Sequence, residues 1–320
     1  MSFPMVNLEN FLIPLKDIEL ATQEFDEKNE IADGEYTKLY RGQLSESWET
    51  GTAAFKRFIG DRCDGKKEFL NELKVISNLI NHENIIPFLG YCDEGGIMII
   101  VYQNPVNGTL RNYLGYPDNR SCLTWQQRLE ICMDAARGLN YLHSGLGQDG
   151  IVIHGSFRDS NILLDNNLKA KICGFEMSEL IPGNQPCQQV YKPETIRYTK
   201  LGPDAHKDPI YKETGFLRVE SDIYSFGVLL FYLLTIPEVR KDGGCIPNSI
   251  TMLVQHHLHN RLDSLIDPAI RDQIGGPSFR MIEEITCKCL SYNLKDRPTM
   301  DTVVKTIEDA LDIHVSLFFF

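Results

Sequence analysis

A chain of 320 residues that is 42% hydrophobic and 24% charged has the make-up of an ordinary globular protein, with room for one large domain or two lobes. Its net charge of −12 argues against a basic face for nucleic acid or a polybasic membrane anchor. Nine cysteines, an odd number with no C-x-x-C pair, argue against a zinc site and fit reduced thiols in a cytosolic chain.

The opening "MSFPMVNLEN" lacks the basic start and long apolar core of a secretory leader, and Ser2 stands where N-myristoylation needs glycine. Residues 1–25 read as a lead-in. Residues 26–103 read as a small α+β lobe. In it "KLYRGQL" and "TAAFKRF" are candidate strands, and Phe69, Leu73, Ile76 and Ile80 form one helical stripe. "IIPFLGYC" and "IMIIVYQ" follow as buried strands parted by the turn "DEGG".

Residues 104–314 are helical in character. "LTWQQRLEICMDAARGLNYLH" sets Leu129, Cys132, Ala136, Leu139 and Leu142 at helical spacing, and "SDIYSFGVLLFYLLT" is apolar on nearly all sides, which predicts a buried helix. The apolar run Ile223–Ile236 is too short to span a bilayer. "ITCKCLSYNLKDRPTMDTVVKTIEDAL" predicts two helices broken around Arg297-Pro298.

Residues 182–215 are polar and the least structured by pattern. They hold Tyr191, Thr195, Tyr198, Thr199 and Tyr211, each a modification site or an ordinary loop residue. "QHHLHN" (255–260) reads as a solvated helix face rather than a metal site, because no Cys or carboxylate partner is legible. The apolar tail 315–320, ending in "LFFF", either packs on the larger lobe or docks a partner.

The motifs carry more than any one element. Lys56 ends a strand, and Glu72 sits on the next helix. Then come "HENII" (82–86), "VNGTL" (106–110), "HGSFRDSN" (154–161), "CGFE" (173–176), "DPIY" (208–211), "SDIYSFG" (221–227) and "DRPTM" (296–300). Their order and spacing are those of protein kinases. The fold expected is two-lobed α+β, with a small mainly-β N-lobe carrying one main helix and a larger mainly-α C-lobe.

Within that pattern the chemistry is degenerate at four places. In the phosphate loop "ADGEYTKL" only Gly34 of three glycines remains, with Ala32 and Thr37 in the outer positions. Ser156 stands where the catalytic Asp would accept a proton, and losing a general base costs about 10²–10⁴-fold. Gly174 replaces the Asp that holds Mg²⁺; Glu176 offers a carboxylate two positions on, but only with a changed backbone direction. Ile210 replaces the Glu that pairs with Arg297, so Arg297 needs another partner or solvent.

By "LEICMDAARGLNYLHSG" and "SDIYSFGVLLFYLLT" the chain resembles the plant receptor-like kinase group, and within it the ZRK family of cytoplasmic pseudokinases. The resemblance implies an immune adaptor that pairs with a coiled-coil NLR receptor and senses bacterial effectors or host receptor-like cytoplasmic kinases that effectors have modified. It implies no catalytic residue, Ser156 and Gly174 being degenerate, and no metal. A residual nucleotide site would comprise Ile31, Gly34, Leu39, Ala54, Lys56, Glu72, Asn161 and Leu163. No cofactor is required, and any ATP binding is weak and without Mg²⁺. His154, Phe175, Ile76 and Leu89 would form the stack linking the lobes, and Asp222 would brace the catalytic loop. The alternative is a weakly active serine/threonine kinase. The place of work is the cytoplasm, with the plasma membrane reached through partners.

Overall fold

A computed structural model describes residues 8–33, 37–45, 51–59, 63–79, 82–104, 107–115, 123–144, 146, 150–183, 189–192, 206–235, 266–274 and 276–318. Gly34, Ile80, Thr195, Tyr198, Thr199 and "QHHLHN" lie outside the described residues.

The N-lobe is a five-stranded antiparallel sheet of β1 (Glu30–Asp33), β2 (Thr37–Gln43), β3 (Thr52–Phe58), β4 (Phe88–Glu94) and β5 (Ile97–Gln103), in the order β1-β2-β3-β5-β4. Strand alternation makes the sheet two-faced. Phe58, Met98, Ile100 and Tyr102 join the main core, whereas Ala53, Phe55, Ile99 and Val101 join a second core on the opposite face.

That second core is closed by the segment read as a lead-in. Helix α1 (Leu15–Thr22) and the residues before it bring Ile13 and Ile18 onto Phe55 and Val101, both at 0% exposure. The Ile13 N–H donates to the Tyr91 carbonyl at 2.8 Å. Close approach is possible because β2 has no side chain at Gly42, where a Cβ would stand 2.5 Å from the Ala21 carbonyl oxygen. The segment is thus part of the lobe it precedes.

Helix α2 (Cys63–Ile76) buries Phe69, Leu73 and Ile76 against the main-core face of the sheet. One expectation fails by a single residue. Leu89 packs in the second core, and its neighbour Phe88, paired with Tyr102, turns to the main core where Ile76 and Phe175 lie. Successive residues of a strand face opposite sides, so a slip of one changes the face.

The C-lobe is built round two helices, α4 (Trp125–Ser144) and α6 (Val219–Leu234), with α3 (Leu110–Gly115) ahead of them. Every residue from Ser221 to Leu234 is buried, as its all-round apolar sequence requires. Helix α8 (Gly276–Cys289) packs on α6, and α9 (Met300–Phe318) packs on α4 and α8, after a short α7 (Pro268–Arg271). Residues 315–318 continue α9, so most of the expected tail is helix.

Short strand pairs carry the loops between: β6 (Ile151–Ile153) with β9 (Glu179–Ile181), β7 (Ile162–Leu164) with β8 (Ala170–Ile172), and β10 (Gln189–Tyr191) with β11 (Phe216–Arg218). The region 182–215 therefore includes β10 and helix α5 (Pro209–Thr214), against the pattern reading. Tyr211 is buried there and donates to the Lys192 carbonyl at 3.1 Å, which removes it as an accessible modification site; Tyr191 is 63% exposed. Among the described residues no helix is long and apolar enough to cross a membrane.

Candidate active site

Strand β3 points Ala54, Lys56 and Phe58 toward the C-lobe, with Leu39 and Ile100 flanking Lys56 on β2 and β5. One helix stripe of α2 aims Glu72 at the same point. Lys56 Nζ lies 2.6 Å from Glu72 Oε2, and the Tyr102 hydroxyl donates to Glu72 Oε1 at 2.6 Å. The expected Lys–Glu contact is formed.

A third partner was not expected in this role. Glu176 Oε2 accepts from Lys56 Nζ at 2.9 Å. The Asn71 amide, on α2, holds the backbone around it by donating to the carbonyls of Glu176 at 3.0 Å and Ser178 at 2.8 Å. One ammonium faces two carboxyl groups. Burial works against the Lys56 charge, but Glu176 and Glu72 more than offset it and hold the amine well above its usual range. Burial likewise pushes Glu176 up, yet the Lys56 charge prevails and lowers it to about 2. Glu72, with no exposed side-chain surface, is raised instead: burial leads, and the Glu176 charge adds to it against Lys56.

The loop "HGSFRDSN" is fastened from behind. Asp222 on α6 accepts the His154 N–H at 2.7 Å and the Gly155 N–H at 2.8 Å, and its Oδ2 meets His143 Nε2 at 2.9 Å. His154 Nε2 faces the Cys173 carbonyl at 3.0 Å while Nδ1 accepts the Ser156 N–H, which assigns a neutral ring with the proton on Nε2. Burial, against Asp222, lowers its pKa and keeps it so. The ring packs on Phe175 at 5.2 Å between centroids. Asp159, fully buried, takes two hydrogen bonds from Arg111 at 3.1 and 3.0 Å.

A family model described as protein tyrosine and serine/threonine kinase matches residues 25–307. The chain belongs to that family. It is 35% identical over 309 residues to receptor-like protein kinase HERK 1 of Arabidopsis thaliana, a match covering 95% of this chain and 35% of that protein. It is 34% identical over 306 residues to receptor-like protein kinase ANXUR2 of the same plant, covering 94% of this chain and 34% of that one. The chain thus spans about a third of the length of these plant receptor-like kinases.

In this kinase domain the positions of the chemistry are rebuilt. Ser156 carries no carboxylate, and its carbonyl accepts from Asn161 Nδ2 at 2.8 Å. Gly174 has φ +82, and a Cβ built there would stand 2.7 Å from Asn161 Cγ, 2.8 Å from Nδ2 and 2.9 Å from Oδ1. Asn161, expected in the residual nucleotide site, adjoins the space that a side chain at 174 would need. Leu39 and Leu163 are half-buried and Ala54 is buried; Ile31 on β1 is 40% exposed.

Arg297 does find another partner. It forks onto Asp208, with Nη1 to Oδ2 and Nη2 to Oδ1 both at 2.9 Å. Asp208 also caps α5, accepting the Ile210 N–H at 3.0 Å. The sequence signal for this residue was Asp-Pro at a helix start, an N-cap followed by N1 proline.

A cleft lies between the loop and the segment before α5, lined by Ser156, Arg158, Lys207, Tyr211 and Ser225 among others. Lys207 Nζ lies 5.6 Å from the Tyr211 ring centre. Burial, then the charges of Lys212 and Arg158, lower its pKa to about 8. At pH 8 a large share of this amine is neutral and nucleophilic. Lys305, whose hydrogen bond to Asp301 raises its pKa, stays charged. Limited acylation at pH 8, read by mass spectrometry, is expected to label Lys207 about tenfold faster than Lys305.

Proposed function

We propose that this chain is a catalytically dead kinase-fold adaptor of plant innate immunity, linking a coiled-coil NLR receptor to bacterial effectors or to host kinases that effectors have modified. The observation that carries the loss of catalysis is at Gly174. Gly174 offers no carboxylate for Mg²⁺, a side chain there would have to displace Asn161, and the Asn161 Nδ2 is engaged with the Ser156 carbonyl. The donors left do not fit Mg²⁺, a hard cation that needs oxygen ligands in near-octahedral geometry. Without the carboxylate at 156 the acceptor hydroxyl also lacks its base. What the chain keeps is shape: the Lys56–Glu72 contact, the Asp222 brace and the Phe175 packing. The partner assignment rests on the resemblance to the ZRK group. The adaptor works in the cytoplasm and reaches the plasma membrane through its partners.

A second reading, a weak serine/threonine kinase, is favoured by the 2.6 Å Lys56–Glu72 contact. Phosphate transfer from labelled ATP with Mg²⁺ or Mn²⁺ separates the two. No incorporation above that of Lys56→Ala is expected; robust transfer abolished by that substitution overturns the first reading. Co-expression with a coiled-coil NLR receptor and a modified receptor-like cytoplasmic kinase tests the adaptor role. A ternary complex that depends on this chain is expected, and a receptor and kinase that never co-purify with it count against that role.

A further inference from the structure

In a working kinase the β3 lysine holds nucleotide phosphate. Here two of the ammonium's three donors are already engaged, by Glu72 at 2.6 Å and Glu176 at 2.9 Å. The two carboxylates differ in origin. Glu72 comes from α2 and belongs to the retained pattern, whereas Glu176 comes from the segment after β8, where the pattern has glycine and therefore no side chain.

We infer that Glu176 is an internal anionic ligand of Lys56, occupying the place of a nucleotide phosphate and locking α2 to the segment after β8 with no nucleotide bound.

Three observations support it. The carboxylate is pre-positioned, because Asn71 grips the carbonyls of Glu176 itself and of Ser178, and the Ser178 hydroxyl donates to the His154 carbonyl at 2.8 Å. A tethered ligand acts at a high effective concentration, so a free phosphate must displace it. The contact is sheltered, with side-chain exposures of 15% for Lys56 and 19% for Glu176, so solvent screens it poorly. The same carboxylate sits where the polyanion would arrive, and like charges at that range repel strongly. Lys56 and Glu72 alone already balance in charge; with Glu176 the three groups together are net negative before any ligand comes. This arrangement does not depend on the adaptor reading, since it concerns binding without turnover or partner.

The test is metal-free binding. ATP and inorganic tripolyphosphate are titrated in EDTA into the full chain and into Glu176→Gln, which keeps the shape and removes the charge. Glu176→Gln is expected to bind ATP at least about tenfold more tightly than the parent, and tripolyphosphate to raise its melting temperature but not the parent's. Equal ATP affinity in the two proteins overturns the inference. Should Glu176→Gln fail to fold, the parent alone decides: stabilisation of the parent by metal-free tripolyphosphate overturns it, and the absence of any shift upholds it.

Discussion

Arg297→Ala is expected to lower the unfolding free energy by about 3–5 kcal/mol, a large part of the 5–15 kcal/mol typical of a domain. The guanidinium and the Asp208 carboxylate have side-chain exposures of 0% and 1%. Four N–H bonds leave the guanidinium: two to Asp208, one to the Ser291 carbonyl and one to the Glu220 carbonyl, with the Tyr224 ring 5.2 Å away. Removing it strands a buried carboxylate, and most of the loss comes from that. Arg297→Lys keeps the charge without the planar fork and is expected to fall between the two. Ile210→Glu, which restores the kinase letter, is expected to gain less than about 0.5 kcal/mol, because Arg297 is already satisfied. Urea unfolding of the four proteins checks the order. An Arg297→Ala loss under about 1 kcal/mol would mean that the pair is not formed.

The second large effect is at Gly174. Gly174→Ala is expected to cost about 2–4 kcal/mol, from the left-handed backbone and from displacing Asn161, which forfeits its bond to the Ser156 carbonyl. Adding Asn161→Ala is expected to return about 1 kcal/mol, the steric share, while the backbone share persists. Strict additivity of the two substitutions would contradict the contact. The same geometry bears on reactivation. Ser156→Asp with Gly174→Asp restores two letters of the catalytic pattern, yet Asn161 still blocks one and Glu176 still holds Lys56. Phosphate transfer by that double variant is expected to stay far below the roughly 1–100 s⁻¹ of protein kinases. Transfer in that range would show that the surrounding site had not drifted.

Much of this was legible in the chain. Motif order put Lys56 at the end of the strand "TAAFKRF" and Glu72 on the next helix, whose stripe Phe69, Leu73, Ile76 marks the face that turns toward the sheet. The all-apolar run after Asp222 announced a buried helix, and that helix carries the brace of the catalytic loop. The order of motifs settled which kinds of residue meet, because each is anchored to an element whose period the sequence displays.

The sequence by itself determined the two-lobed kinase fold, the Lys56–Glu72 pair and the absence of carboxylates at 156 and 174. Only the tertiary structure decided where the substituted groups went. Glu176 reaches Lys56 across 120 residues of chain and Arg297 reaches Asp208 across 89, and no local period encodes either meeting. A carboxylate accepts from whichever cation the fold brings within about 3 Å, so its sequence position does not name its partner. The choice between Phe88 and Leu89 for the core was equally out of reach. The register shift in β4 between Phe88 and Gly90 sets which face each side chain takes, and that shift exists only in the pairing with β5.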